Sequence, residues 1–173
     1  MHASCSFGGM ALKIWRFVTL LLAALALGLT SAHVLQLPQK MDYDAPLYAA
    51  VNTTLFRYYA SVGGFYSIGA LAASVVLAVL VRRRPRAFRW TLAGAVFFLL
   101  WLASWLALVA PVNQRIAAAL RSAPQTVASL WMAWRPRWEY GHAAGFVLML
   151  FGFAALLISV LSEPAAVRRG GGG

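Results

Sequence analysis

The chain predicts an all-α integral membrane protein, a four-helix bundle with two longer loops on one side, and three observations carry that prediction. Of its 173 residues 62% are hydrophobic and 11% charged, where a soluble domain carries about 25% charged residues. Its mean hydropathy is +0.73. Four apolar stretches are each long enough to cross a hydrocarbon core of about 30 Å, which takes roughly 20 helical residues. The net charge of +11 would suit nucleic acid, but most of the arginines sit in short gaps between apolar stretches, where they orient membrane spans. An ordinary soluble enzyme, a disordered tail and a coiled coil are excluded. A single cysteine, Cys5, excludes a disulfide scaffold, a Cys-rich zinc site and a Cys-ligated iron–sulfur cluster.

Taken in order, residues 1–13 form an N-terminal segment and residues 14–162 a single four-span domain, followed by a tail over 163–173. The spans fall at about 14–33, 58–81, 90–110 and 140–161. All four should be helical, because in lipid every backbone polar group must be satisfied within the segment. Lys13 and Arg16 precede the first span; Arg82, Arg83, Arg84, Arg86 and Arg89 join the second to the third; Arg168 and Arg169 follow the fourth. That side has nine basic residues and one acid, Glu163. The other has six (Lys40, Arg57, Arg115, Arg121, Arg135, Arg137) and three acids, Asp42, Asp44 and Glu139. Counting lysine and arginine in short loops puts both termini in the cytoplasm of a bacterial inner membrane. A second reading takes Lys13, Arg16, the apolar run Phe17–Leu29 and Thr30-Ser31-Ala32 as a signal peptide cleaved before His33.

Two connections on the outer side are longer than connection requires. Residues 34–57 include Pro38, Asp42, Asp44 and Pro46, and residues 111–139 include PVNQRIAAALRSA and SLWMAWRPRW, both candidate short amphipathic helices. Elaboration of one face places a functional site there. The Gly170–Gly173 run has no visible role. Glycines 63, 64 and 69, and 141, 145 and 152, permit close helix contact, within one chain or in a homo-oligomer.

Few side chains could carry chemistry, and ionisable residues at membrane depth are functional candidates by default. His33 ends the first span, Asn113 and Arg115 follow the third, and Glu139 and His142 begin the fourth, all on the outer side. Antiparallel packing gathers them at one depth. Glu139 and His142 are three residues apart on one helical face, which Trp138 shares. One Glu-x-x-His pair with His33 could form a mononuclear two-histidine, one-carboxylate metal site. The same two histidines could flank a haem, although quinone-linked haem carriers use more histidine pairs. Against these stands a structural reading: Glu139 in a first helical turn after Pro136, favoured by the helix dipole and paired with Arg135 or Arg137. Asn113 could cap a helix or present its amide to a ligand. Trp101 and Trp105 share a face in mid-span and suit either plain packing or the wall of an aromatic pocket. Trp131 and Trp134 read as interfacial aromatics. No phosphate loop, dinucleotide fingerprint, nucleophile elbow or zinc-protease motif is present.

Three segments carry a resemblance. Ala32-His33 with Leu37-Pro38, Pro111-Val112-Asn113-x-Arg115, and Arg137-Trp138-Glu139-Tyr140-x-His142 resemble the anthrone-oxygenase-like family of small four-span proteins, over about residues 15–162. Family members often carry an arginine three residues after the histidine, where this chain has Gly145. The resemblance implies oxidation of an anthrone-like phenol by molecular oxygen without an obligatory organic cofactor. His142 would then be the general base, Glu139 its orienting partner, His33 part of the same centre, Asn113 and Arg115 the oxyanion donors, and Trp138, Trp101 and Trp105 the substrate wall. The alternative from a different class is a non-catalytic membrane protein that binds a lipophilic ligand or packs with a partner subunit. On either reading the partners are a lipophilic small molecule and membrane lipids, not nucleic acid.

Overall fold

A computed structural model describes residues 3–56 and 58–162, with side chains from residue 9 onward. Arg57, Glu163, Arg168, Arg169 and the run Gly170–Gly173 lie outside the described residues. The described chain is helical, without strands. Helix α1 covers Ala3–Asp42, α2 Ala45–Thr54, α3 Tyr59–Val81 and α4 Pro85–Ser104. A π-helical turn, Trp105–Val109, leads into α5, Ala110–Ser122; a 3₁₀ turn, Pro124–Thr126, leads into α6, Val127–Leu161. Four helical segments are long and apolar enough to cross a membrane: Gly9–Asp42, Tyr59–Val81, Pro85–Ser122 and Pro124–Leu161.

The helices outrun the spans read from hydropathy. At 1.5 Å per residue the 38-residue α4–α5 segment is ~57 Å long, well beyond a hydrocarbon core. Hydropathy registers only the part that faces lipid. Residues 34–42 and 127–139, expected in connections, therefore continue α1 and α6. Pro38 and Pro136 lie inside these helices, so Glu139 is not in a first turn and no helix dipole acts on it. Helix α1 also runs unbroken through Ala32 and His33. The separate short helices are α2 and α5. The first is started by Asp44, whose carboxylate accepts from the Leu47 backbone N–H at 2.9 Å, with Pro46 in the first turn.

Helix α1 packs on α3 and α6, and α4 packs on α3 and α6, which closes a four-helix ring; α2 and α5 dock on the α6 end. The ring centre is small and tight: Ala23, Ala26, Ala70, Phe98, Trp101, Met149 and Leu156 are buried together. Gly141, Gly145 and Gly152 serve this internal contact, with Leu108, Val109, Trp101 and Phe98 pressed against their Cα positions. A Cβ at Gly145 would lie 3.1 Å from Cδ1 of Trp101, so a side chain there would press on the indole ring. Toward the arginine link, Thr91 and Ser159 hydroxyls share a hydrogen bond at 2.7 Å and the indole N–H of Trp15 donates to the Ala73 carbonyl at 3.0 Å, which satisfies groups that lipid would leave bare.

The π-helical turn has a local cause. Pro111 has no N–H to give the Ala107 carbonyl four residues earlier. The Ala110 N–H reaches back to Trp105, five residues away, and the Arg137 guanidinium donates to the freed Ala107 carbonyl at 2.7 Å. Arg135 does the same beyond the end of α1, donating to Tyr43 O at 2.8 Å and Lys40 O at 3.3 Å. Both arginines therefore cap backbone, and neither pairs with Glu139.

Candidate functional site

At the bundle end away from the arginine link, α1 and α6 bring their histidines into contact. The rings of His33 and His142 stack with centroids 4.0 Å apart and planes 15° from parallel. Trp138 meets both edge-on, at 4.4 Å from His142 and 5.2 Å from His33. Phe56, just past α2, stacks on the other side of His33 at 5.0 Å, and Tyr59 approaches its edge at 5.4 Å. The Nδ1 atom of His33 is buried without a hydrogen-bond partner.

Glu139 does not turn toward this pair. It is 1% exposed, and its Oε1 atom accepts from the Tyr48 hydroxyl at 2.8 Å and lies 2.6 Å from Nζ of Lys40. Lys40 is itself 1% exposed, its ammonium held 4.5 Å from the Trp138 ring centre and 4.7 Å from that of Phe56, within the range in which a ring face attracts a cation. The site thus has two layers. The stacked imidazoles lie on one side of Phe56 and Trp138, and the Lys40–Glu139–Tyr48 cluster on the other. Burial, with the Glu139 carboxylate beside it, pushes the Tyr48 phenol above the usual tyrosine range. An unfolded tyrosine ionises at about pH 10, so Tyr48 favours folding below that pH and its contribution falls as pH rises beyond it. The stability difference between wild type and Tyr48→Phe should narrow in that alkaline window. The native phenolate absorbance should be equal in both proteins; a smaller signal in the variant would mean that Tyr48 titrates in the fold.

Beside the imidazole layer lies a cavity of about 350 Å³. Its walls include His33, His142, Trp101, Trp105, Trp131, Trp138, Asn52 and Asn113. Trp101 and Trp105 form part of the aromatic wall. Asn113 does not cap α5: its Oδ1 atom accepts from the indole N–H of Trp138 at 2.9 Å, which fixes the ring that separates the two layers. Arg115 stays outside, exposed, with its guanidinium 4.0 Å over the Trp134 ring, and does not line the cavity. No group of three His, Cys, Asp or Glu side chains among the described residues is placed to hold a metal ion. Glu139 faces Lys40, and the imidazoles stand face to face, not end-on to a common point.

Lys40, Tyr48, Asn52 and Trp131 belong to the site, although the sequence places none of them there: Lys40 reads as an outer-side charge and Trp131 as an interfacial aromatic. Helical spacing contains the signal. Lys40 is seven residues after His33 and Trp131 seven before Trp138, each pair on one face; Tyr48 and Asn52 are four apart on α2. No protein-family model, curated protein or solved structure matches the chain.

Proposed function

We propose that this membrane protein binds a flat, lipophilic phenol-, anthrone- or quinone-like molecule between its helices and acts on it as an oxidoreductase of the oxygenase kind. The observation that carries the reading is the aromatic-walled cavity lined by the His33–His142 stack. Trp101, Trp105 and Trp138 offer ring faces and edges to a flat aromatic, and aromatic pairs of this sort contribute about 0.5–1.5 kcal/mol beyond area burial. The ring nitrogen of a neutral imidazole can accept an acidic proton from an anthrone-like CH₂ group as a general base. The electron pair left on the carbanion then passes to molecular oxygen, the oxidant. The resulting hydroperoxide loses water, so that CH₂ and O₂ become C=O and H₂O. Only the deprotonation and the positioning are asked of the protein. The resemblance to anthrone-oxygenase-like proteins supports the same reaction class.

Within this scheme Glu139 has a different part from the one its spacing to His142 suggests. It neutralises Lys40 and holds Tyr48, and so keeps the aromatic floor of the site in place. Bacterial inner-membrane placement with both termini cytoplasmic belongs to the same proposal. Lys40 and Glu139, as an internal pair, drop out of the charge comparison, which leaves five basic residues on the outer side against nine.

Oxygen uptake with an anthrone-like phenol, in matched amounts of folded protein, tests the chemistry. Loss of the general base should lower the rate by about 10²–10⁴-fold in His142→Ala or His33→Ala. Uptake by wild type at the no-protein rate would reject turnover. The binding-only reading, which the commitment of Glu139 to Lys40 favours, would then survive if native mass spectrometry retained a lipophilic ligand.

A further inference from the structure

The cavity is polar at one end and apolar at the other. Three atoms buried without partners belong to residues that line it: Nδ1 of His33, Oδ1 of Asn52 and the indole N–H of Trp131. These residues are 5%, 8% and 4% exposed. Leaving a buried polar group unpaired is costly, so three such atoms among the lining residues point to a ligand that pairs them. Asn52 Oδ1 needs a donor, the Trp131 N–H needs an acceptor, and His33 Nδ1 serves as either. A hydroxyl beside a carbonyl, or a quinone exchanging with its quinol, meets that pattern. The far end of the cavity, toward the middle of the bundle, is lined by Ala26, Leu29, Ile68 and Leu102. Thr30 there turns its hydroxyl to the Leu27 and Ala26 carbonyls of its own helix.

This apolar end is bordered by α1, α3 and α4, and small residues of α3 leave room there. A Cβ at Gly64 would meet nothing within 4 Å, and one at Gly63 would just touch Leu29 at 3.4 Å. Ala60 and Ile68, which also line the cavity, are exposed on the outer surface of α3, which in a membrane faces lipid. From Ala60 to Ile68 the lining extends ~12 Å along the helix.

We infer that the ligand is a tailed one: a phenol or quinone head paired with His33, Asn52 and Trp131, and a hydrocarbon chain that leaves past Ala60, Gly64 and Ile68 on the exposed face of α3 into the bilayer. This rests on the proposed aromatic ligand and narrows its class. A chain gains no hydrophobic free energy by moving from lipid to an apolar gap, so the gap acts by allowing the chain to remain in lipid while the head docks. The polar atoms set the affinity of the head; the glycines decide whether a tail is tolerated.

The experiment uses the full chain in lipid nanodiscs and measures binding of decyl-benzoquinone, methyl-benzoquinone and an untailed anthrone, with concentrations expressed per lipid. Wild type should bind both quinones. Gly64→Leu, which replaces a helical glycine where space is open, should weaken the decyl compound by about tenfold or more, the scale of one steric clash, and leave the methyl compound within about twofold. Trp131→Phe should weaken both quinones equally. Binding of both quinones with Gly64→Leu acting on the two alike, or on neither, would overturn the lateral exit. Tight binding of the anthrone alone would overturn the tailed ligand and leave the proposed function standing. Binding of none of the three would remove both.

Discussion

Lys40→Met should cost the bundle about 3–5 kcal/mol, the loss expected when one member of a buried ion pair is removed and its partner stays behind. The partner here is Glu139, 1% exposed, with its Oε2 atom already without a hydrogen bond. Without the ammonium 2.6 Å away, the carboxylate retains only the Tyr48 hydroxyl in a wall of Phe56 and Trp138. Methionine conserves the length of the apolar stem, so the change reads charge more than volume. The pair Lys40→Met/Glu139→Gln removes both charges and should recover most of the loss, because a buried pair replaced as a unit is often near neutral. Fraction folded in mixed micelles with increasing denaturing detergent would measure all three proteins. If the single variant were as stable as wild type, or the double variant worse than the single, the pair would not be an internal neutralised unit. Glu139→Gln alone strands Lys40 in turn. A loss of activity in that variant therefore says nothing of proton transfer until the folded fraction has been equalised.

Why these charges escaped notice is a matter of how a sequence presents them. Apolar length fixes the bundle: four stretches of the required span leave helices as the solution in lipid. Composition is silent on where a helix stops once it leaves the hydrocarbon. Pro38 and Pro136 look like helix boundaries, yet both lie inside long helices that end at Asp42 and begin at Val127. That misplacement turns Lys40 into an apparent loop charge and Glu139 into an apparent first-turn acid, when each neutralises the other. His33, Glu139 and His142 could be placed at one depth from antiparallel order alone. Which way each side chain turns could not, because α2 decides it. Tyr48 and Phe56, on and just after that short helix, take Glu139 and His33 respectively, and no periodicity in α1 or α6 announces a helix that docks on the α6 end. Arg115 shows the converse: a charge beside the Pro-x-Asn segment draws the eye, but its helix turns it outward over Trp134.

Gly152→Leu should prove the most damaging of the glycine substitutions in the bundle. A Cβ at this position would lie 2.6 Å from Cδ1 of Phe98 and closer still to Cε1. Phe98 is fully buried and packed in the ring centre with Ala23, Ala26, Ala70, Trp101, Met149 and Leu156, so the ring has nowhere to move. The helices must separate instead. On the other side of this contact Gly94 would meet the Gly152 carbonyl at 3.1 Å, so the α4–α6 backbones already approach as closely as glycine permits. Overpacking of a close-packed core typically costs about 1–3 kcal/mol and occasionally more; with a rigid ring and two backbones involved, the upper end, ~3 kcal/mol, is the expectation. Gly64→Leu is the internal control. The same substitution in α3, diagonally across the ring, puts its Cβ in open space and should leave the unfolding free energy within about 0.5 kcal/mol of wild type. Phe98→Leu combined with Gly152→Leu should regain part of the loss, since trimming the ring removes the atoms that collide, whereas Phe98→Leu alone opens a void and destabilises. Strictly additive effects of the two substitutions would mean that Gly152 and Phe98 do not share the contact on which the α4–α6 interface depends.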